Sequence, residues 1–184
     1  MTHPHTLPLL GNKLKLLNDE VSECSKCTFC TKHKALDRNY QFYPYLRPLE
    51  EDFYLFVGDY PTEVEDVLSK PLADKQGKFL REVISSFLPP EKYLVVNSVI
   101  CFPHLSVPPT LQNQLDCSHH LLNYINTLKP KTVFSLGKLP TRLLKKLNLP
   151  FIELPSQDSV SSSDLQRQRF KLLLSKHLEL QGKL

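Results

Sequence analysis

The sequence lacks any long hydrophobic run. Charged side chains at Lys13, Lys15, Asp19, Glu20 and Glu23 interrupt the first thirty residues, which therefore contain no apolar core of a signal peptide. No other stretch approaches the roughly 20 apolar residues that a membrane-spanning helix needs. We therefore expect a cytoplasmic protein that contacts no membrane and keeps its thiols reduced.

Internal repeats and long low-complexity tracts are also missing. The 184 residues, 41% of them hydrophobic and 23% charged, suit one compact α/β domain with a buried core. Residues 1–20 are predicted to form a helical N-terminal extension, and residues 21–184 the domain itself. The polar stretch Ser156–Ser163 is interpreted as a connector between a strand and the last helix.

A strong excess of charge of one sign is absent as well. The formal net charge is +4, and from Leu136 onward nine lysines and arginines face four carboxylates, against 14 and 15 in the first 135 residues. A basic C-terminal part could contact phosphates, but a solvated helix face explains the same pattern. Charge alone therefore does not identify a nucleic-acid-binding protein.

Hydrophobic patterns predict strands that alternate with helices. Four apolar segments have the composition of strands, namely Phe53–Val57, Tyr93–Ile100, Thr132–Leu136 and Phe151–Leu154. Helical patterns occupy Leu9–Val21, Gly77–Leu88, Thr110–Leu128, Pro140–Leu147 and Ser163–Leu180. This alternation predicts a mostly parallel four-stranded sheet covered by helices on both sides.

The stretch Asp52–Asp66 joins the first predicted strand to a helix through a short turn. Gly58 and Pro61 force the chain to turn at the carboxyl end of the strand, and Thr62 and Glu65 have capping-box spacing. Ligands bind at this end of the strands in open α/β sheets. The turn is therefore a candidate floor of an active site, although ordinary connections between strands and helices have the same pattern.

Asn97 interrupts the apolar strand Tyr93–Ile100. A buried amide must find hydrogen-bond partners or cost roughly 1 to 3 kcal/mol. Asn97 therefore either serves a ligand or ties down a neighbouring loop, and the residues by themselves favour neither role.

Five cysteines in a chain without export features indicate metal or cluster ligands more than disulfides. A 4Fe-4S cluster would take its four thiolates from three segments, at Cys24, Cys27, Cys101 and Cys117. A local zinc site would instead use Cys24, Cys27, Cys30 and His33. A third interpretation treats Cys101 and Cys117 as small buried hydrophobic residues.

Eight short pieces of sequence follow one another in a characteristic order between about Val21 and Leu174. They are the Cys24/Cys27 pair, GDYP at 58–61, PLAD at 71–74, NSVIC at 97–101, Cys117, Pro130, VFSLG at 133–137 and LPS at 154–156. Together they resemble the family 4 type of uracil-DNA glycosylase. That family reads C-x2-C, G-E-x-P-G, P-F-V-G, N-x-x-x-C, a later Cys and Pro, L-G and H-P-S.

The resemblance implies a three-layer α/β/α domain, expected to be monomeric, with a structural 4Fe-4S cluster on the four cysteines named above. It implies binding of uracil-containing DNA and hydrolysis of the N-glycosidic bond of a flipped uracil in base excision repair. The implied catalytic residues are Asp59, in the water-positioning loop, and Asn97, whose amide can pair with both an N–H and a carbonyl of uracil. The implied substrate-binding positions are Gly58, Tyr60, Pro61, Leu72, Asn97, Leu154 and Ser156.

The base pocket departs from this family at two positions. Leu72 stands where the family has a Phe that stacks on the base, a contact worth about 1 to 3 kcal/mol. Leu154 replaces the His of H-P-S, and loss of one preorganised donor commonly costs about 100- to 1,000-fold in rate. Tyr60 could supply a stacking ring instead, and His104, His119 or His120 could supply a donor.

Three hypotheses about function follow, and one of them is a zinc-ribbon-like binding module built on Cys24, Cys27, Cys30 and His33; the other two concern a relative of the glycosylases. The first is a divergent glycosylase in which Asp59 and Asn97 still act on a flipped base in DNA. The second is a catalytically degenerate iron-sulfur scaffold that binds nucleic acid or a protein partner without base excision.

Overall fold

The computed structural model of the chain describes residues 10–27, 29, 34–38, 52–103 and 107–181. Seven helices lie within these ranges: α1 (Leu10–Ser22), α2 (Glu63–Leu68), α3 (Lys75–Ser85), α4 (Leu111–Leu128), α5 (Lys138–Lys146), α6 (Gln157–Ser162) and α7 (Asp164–Gln181). The strands are β1 (Tyr54–Gly58), β2 (Tyr93–Asn97), β3 (Thr132–Leu136) and β4 (Ile152–Leu154). The proposed zinc ligands Cys30 and His33, and also His104, lie outside the described residues.

The four strands form one parallel sheet in the order β2-β1-β3-β4. Gly58 at the end of β1 pairs with Asn97 at the end of β2, and Leu136 at the end of β3 pairs with Leu154 at the end of β4. All strands therefore present their carboxyl ends at one edge. The predicted parallel sheet is confirmed.

Each face of the sheet is buried against its own set of helices. On β1, the side chains of Leu55 and Val57 belong to a core with residues of α1, α4 and α5. Tyr54 and Phe56 point to the opposite face and pack with residues of α3, α6 and α7. Burial on both faces explains why β1 is a continuous apolar run, and it produces the three-layer α/β/α arrangement.

Side-chain caps mark the starts of helices α2 and α3. Thr62 and Glu65 form a capping box at the start of α2, with the Thr62 amide donating to Glu65 Oε2 at 2.8 Å. Asp74 is the N-cap of α3, where its Oδ1 accepts from the amide of Gly77 at 2.6 Å. The capping box predicted at Thr62 and Glu65 is confirmed, and α3 begins two residues before the predicted Gly77.

The predicted connector at Ser156–Ser163 is wrong, because most of this stretch is helix α6. Ser156 caps the helix by accepting from the amide of Ser159, and Val160 is fully buried in the core beneath it. Five serines lower the apparent helical character, but capping and one buried contact suffice for a short helix. The helix places Gln157 and Asp158 at the carboxyl edge of the sheet.

Helix α1 packs against α4 within the described structure. Leu14, Leu17 and Val21 are buried in the same core as β1, and the Tyr124 hydroxyl donates to Asn18 Oδ1. The boundary between an extension at 1–20 and a domain at 21–184 stays a prediction. Among the described residues, none of the helices has both the length and the apolar character that crossing a bilayer requires.

Helix α7 offers a matched test of the core. Phe170 is fully buried, whereas Leu172 on the same helix is 67% exposed. We expect Phe170→Ala to lower the free energy of unfolding by about 3 to 5 kcal/mol, because it removes buried apolar surface and leaves a cavity. Leu172→Ala should change it by less than about 0.5 kcal/mol. Urea denaturation followed by circular dichroism measures both, and equal effects would contradict this packing of α7.

Candidate active site and cysteine cluster

The turn after β1 is held in place by backbone and side-chain hydrogen bonds. Ser98 donates its amide to the carbonyl oxygen of Gly58 at 2.8 Å and its hydroxyl to that of Asp59 at 2.6 Å. Gln114, which is fully buried in α4, donates to Ser98 Oγ at 3.1 Å and accepts from Arg142 Nη2 at 2.9 Å. This network fixes the backbone of the turn, so the Asp59 side chain starts from a defined position.

Asn97 lies directly against Gly58. A Cβ atom added to Gly58 would stand 2.5 Å from Asn97 Oδ1, so only glycine allows this approach. Asn97 is 5% exposed, and its Nδ2 is buried without a hydrogen-bond partner. An unsatisfied buried amide is uncommon in folded proteins and calls for an explanation.

The turns after β1, β3 and β4 meet at one point. Gly137 adopts a φ of +103°, and a side chain on it would stand 2.8 Å from Ser156 Cβ and 3.8 Å from Asp59 Oδ1. The left-handed backbone and the close neighbours both require glycine here. Asp59, Gly137 and Ser156 are therefore brought together from distant parts of the chain.

Two cavities open at this edge and share Asp59 and Ser156. The smaller has a volume of about 120 Å³ and is lined by Gly58, Asp59, Tyr60, Thr62, Leu136, Ser156, Gln157 and Asp158. The larger, of about 500 Å³, is lined by Asp59, Gly137, Lys138, Leu139, Glu153, Leu154, Pro155, Ser156, Ser159, Gln166 and Arg169. Asp59 thus stands where a narrow cavity joins a wider cleft.

The Asp59 carboxyl has an unusual electrostatic environment. Burial, and next the negative charge of Asp158, raise its pKa from an ordinary 3.8 to about 6. Its Oδ1 is buried and has no hydrogen-bond partner. Burial and the same two carboxylates, Asp59 and Asp158, also raise the pKa of Tyr60. At neutral pH, Asp59 is a largely ionised carboxylate with an elevated proton affinity.

The sequence-predicted positions divide into two groups. Gly58, Asp59, Tyr60 and Ser156 line the small cavity, and Leu154 lines the larger one. Asn97, Pro61 and Leu72 are buried and are not among the residues that line either cavity. Leu72 has a φ of +53° and donates its amide to the buried Glu65, while its side chain packs in the core. The Glu65 carboxylate therefore accepts hydrogen bonds from backbone amides and does not line either cavity.

Sequence reasoning missed Gln157, Asp158, Gln166 and Arg169 as residues of this edge. Gln157 and Asp158 lie in the stretch interpreted as a connector, where their helix placement was not foreseen. Gln166 and Arg169 lie on α7. The basic charge of this helix is visible in the sequence, but it indicates no specific partner. The helical spacing of Gln166 and Arg169, three residues apart, was the only signal that they share one face.

The four predicted cluster ligands converge on one place. Cys101 and Cys117 are buried, and Cys24 and Cys27 are half-buried. Burial first, and then repulsion from Cys101, Cys27 and Cys24, raise the pKa of Cys117 to about 12. This effect on Cys117 places the other three thiols in its neighbourhood. The predicted roles of these cysteines as ligands remain predictions.

Two histidines of α4 lie beside this cysteine group. Ligand atoms of Cys24, His119 and His120 are all within 4.8 Å of one another, and the two imidazole rings are 3.9 Å apart. Burial, followed by His119, Lys26 and Lys34, lowers the pKa of His120 to about 4, so its ring is neutral at neutral pH. Neither histidine is among the residues that line the two cavities at Asp59.

Comparison with known proteins identifies the family. Residues 48–179 match the Uracil DNA glycosylase superfamily, which is more than half of the chain. The chain therefore belongs to the uracil DNA glycosylase superfamily. The matched segment contains all four strands and the turns that form the two cavities.

The relatives that resemble the chain have the family name that the motifs predict. A type-4 uracil-DNA glycosylase of Saccharolobus solfataricus is 30% identical over 144 residues, which cover 75% of this chain and 62% of the relative. Proteins of the same name from Archaeoglobus fulgidus and Thermotoga maritima are 26% and 33% identical, over 73% and 45% of this chain. The chain spans less than two thirds of the length of each of these relatives: 62%, 66% and 44%. The resemblance to the family 4 type is confirmed.

The buried carboxyl of Asp59 predicts a pH-dependent stability. Its pKa of about 6 exceeds the ordinary 3.8, so the folded protein holds this proton more tightly than the unfolded chain does. The resulting stabilisation is fully present below pH 3.8 and is lost as the pH rises to about 6. Between those limits we expect Asp59→Asn, which cannot ionise, to gain about 1 to 3 kcal/mol in free energy of unfolding relative to the wild type. Urea denaturation across the pH range measures this difference.

Asp158→Asn is the matched control for this prediction. Removal of the neighbouring negative charge lowers the folded-state pKa of Asp59, so the upper limit of the pH range over which stability is lost should move downward. A difference between Asp59→Asn and wild type that is the same at every pH would contradict the buried, ionising carboxyl.

Proposed function

We propose that the protein is a DNA glycosylase that hydrolyses the N-glycosidic bond of a flipped uracil or a closely related base. The observation that carries the proposal is the pair of buried, unpartnered polar atoms Asp59 Oδ1 and Asn97 Nδ2 at the carboxyl edge of the sheet. Membership of the uracil DNA glycosylase superfamily supports it. Buried polar groups without partners cost stability, which is compensated when a ligand supplies the missing hydrogen bonds.

Asp59 has the properties of a group that positions and activates water. Glycosidic hydrolysis needs a nucleophilic water at the sugar carbon as the bond to the base breaks, and a carboxylate can orient that water and accept its proton. A pKa of about 6 leaves Asp59 ionised at neutral pH while raising its affinity for a proton. Its carbonyl oxygen accepts from Ser98, so the loop does not rely on the carboxylate for its own hydrogen bonds.

The size of the smaller cavity fits a single ring. At about 120 Å³ it is comparable to cavities of about 150 Å³ that bind benzene in other proteins. Tyr60 and Leu136 supply apolar walls, and the Tyr60 ring is a candidate for the stacking contact that Leu72 cannot make. Gly58 lines this cavity and also lies against Asn97. Gly58 would therefore separate the amide of Asn97 from a base bound in the cavity.

The larger cleft offers cations to a nucleic-acid backbone. Lys138 and Arg169 line it, on α5 and α7 respectively, and both are exposed. Because the cleft joins the base cavity at Asp59, a strand lying there would place its sugar next to the carboxylate. Phosphate contacts of this kind position DNA without reading its sequence.

We further propose that Cys24, Cys27, Cys101 and Cys117 hold a 4Fe-4S cluster. The donor set fits, since four thiols from three separate segments converge, two of them buried. When bound, the cluster would cross-link the end of α1, the end of β2 and helix α4. The chain's own contribution is to bury Cys101 and Cys117 away from water.

A catalytically degenerate scaffold is the second candidate. Leu72 and Leu154 are 3% and 1% exposed and belong to the core, so neither presents a stacking ring or a donor to a base. The small cavity also contains two carboxylates, Asp59 and Asp158, which oppose the negative charge that develops on a departing base. In this case the protein would bind nucleic acid or another protein through the same edge.

Release of uracil from a uracil-containing oligonucleotide under single-turnover conditions tests the main proposal. We expect release by the cluster-loaded wild type, with a rate that rises through about pH 6 as Asp59 ionises. Asn97→Ala and Asp59→Asn should each slow it by at least about 100-fold, because each removes a preorganised group at the reacting base. Asp52→Asn, which alters an exposed ion pair with Lys131, is the control and should leave the rate unchanged.

Wild-type protein with a full complement of iron that binds the oligonucleotide but releases no uracil or other base would favour the degenerate scaffold. Fluorescence anisotropy with labelled single-stranded and duplex DNA measures this binding. Release that persists in Asp59→Asn would remove Asp59 from the mechanism while leaving the superfamily assignment intact.

Iron content tests the ligand set. We expect Cys101→Ser and Cys117→Ser to lose the iron and the visible absorption of the cluster and to melt at lower temperature, since a bound cluster stabilises the fold. Cys30→Ser should keep both. Iron analysis and thermal unfolding measure the effects, and equal iron in all three variants and the wild type would contradict the assignment.

A further inference from the structure

The smaller cavity at the carboxyl edge of the sheet has a negatively charged wall. Its volume is about 120 Å³, and its lining includes the carboxylates of Asp59 and Asp158. None of the described residues that line it is a lysine, arginine or histidine. Burial, and then the negative charge of Asp158, raise the pKa of Asp59, so the two carboxylates repel each other. A ligand in this cavity is therefore stabilised by a positive charge of its own.

Two hydrogen-bond donors of this wall are already in use. The Thr62 amide donates to Glu65 at 2.8 Å, and the side-chain amide of Gln157 donates to Asp74 at 3.1 Å. Asp59 Oδ1, by contrast, is a buried acceptor without a hydrogen-bond partner. The wall therefore suits a base that brings N–H donors more than one that brings only acceptors.

Uracil matches such a wall poorly. As its glycosidic bond breaks, the electron pair of that bond moves onto N1 and the departing base becomes negative. Asp59 and Asp158 oppose that charge, and Leu154, which is 1% exposed and packed in the core, supplies no donor to offset it. A base that starts with a positive charge avoids this conflict, because the same electron pair makes it neutral.

Tyr60 adds an aromatic face to the same cavity. A cation within about 6 Å of the centroid of an aromatic ring is attracted to the ring face, and bases also stack on such rings. The volume of the cavity fits one ring. Charge, size and hydrogen bonding together describe a cationic pyrimidine with an exocyclic amino group.

We propose that the preferred substrate is DNA that contains a cationic, N-alkylated pyrimidine of the type of N3-methylcytosine. The methyl group on N3 gives the ring a positive charge, and the amino group supplies the donors. The inference rests on the proposed glycosylase function of the same site, and it names the class of base.

The reaction leaves the site without net negative charge on the base. Water forms a bond to C1′ of the sugar and transfers a proton to the Asp59 carboxylate. The bond between C1′ and N1 breaks, its electron pair stays on N1, and neutral N3-methylcytosine departs. Because no anion develops, the missing donor at Leu154 does not slow this reaction.

The test compares single-turnover release of three bases by the full chain with its cluster loaded. Single-stranded oligonucleotides of one sequence contain N3-methylcytosine, cytosine or uracil at the same position. We expect N3-methylcytosine to be released at least about 10-fold faster than uracil, because its departure creates no negative charge beside two carboxylates. Cytosine has the amino group without the charge and should not be released.

Asp158→Asn separates the effect of charge from an effect on the fold. It should slow release of N3-methylcytosine by about 3- to 10-fold, because one attractive charge is lost, and leave release of uracil equal or faster. Damage to the fold would slow both. Asp164→Asn is the matched control, since the Asp164 side chain is 84% exposed and lines neither cavity, and it should change neither rate.

Faster release of uracil than of N3-methylcytosine would overturn this inference and leave the proposed glycosylase intact. Release of none of the three bases would overturn the proposed function as well. A preference for N3-methylcytosine that is the same in Asp158→Asn as in the wild type would also contradict the inference, because the charge of Asp158 would then contribute nothing.

Discussion

Parallel pairing of β1 with β2 on one side and β3 on the other is the interaction on which the rest of the structure depends. It brings the carboxyl ends of three strands to one edge, and it sets Gly58 against Asn97 so closely that no side chain fits between them. A shift of one residue in this register would turn every buried side chain of β1 to the other face. The two cores and the candidate site are therefore specified together.

The edge built in this way holds polar groups at a cost in stability. Asp59 and Asn97 each have a buried polar atom without a hydrogen-bond partner. Burial and the negative charge of Asp158 raise the pKa of the Asp59 carboxyl. The Ser98–Gln114 network satisfies the backbone of the turn but not these side chains. Local destabilisation of this kind, within an otherwise well-packed domain, is typical of a site prepared for a ligand.

The cysteine group gathers residues from parts of the chain that the sheet does not connect. Cys24 and Cys27 follow α1, Cys101 follows β2, and Cys117 lies on α4, with His119 and His120 two and three residues further along. Lys26 and Lys34 lie near this group and, after burial, help to lower the pKa of His120.

Local patterns in the sequence determined the strands, the cap at Thr62, the parallel sheet and the superfamily, because buried parallel strands and helix starts have strong short-range signals. They did not predict helix α6, because its serines are poor helix formers and its one buried residue, Val160, gives no period. The tertiary structure alone decided that Leu72 turns into the core, that Asp158 faces Asp59, and that both histidines reach Cys24. Those contacts join residues far apart along the chain, and only the packing of helices on the sheet fixes their distances.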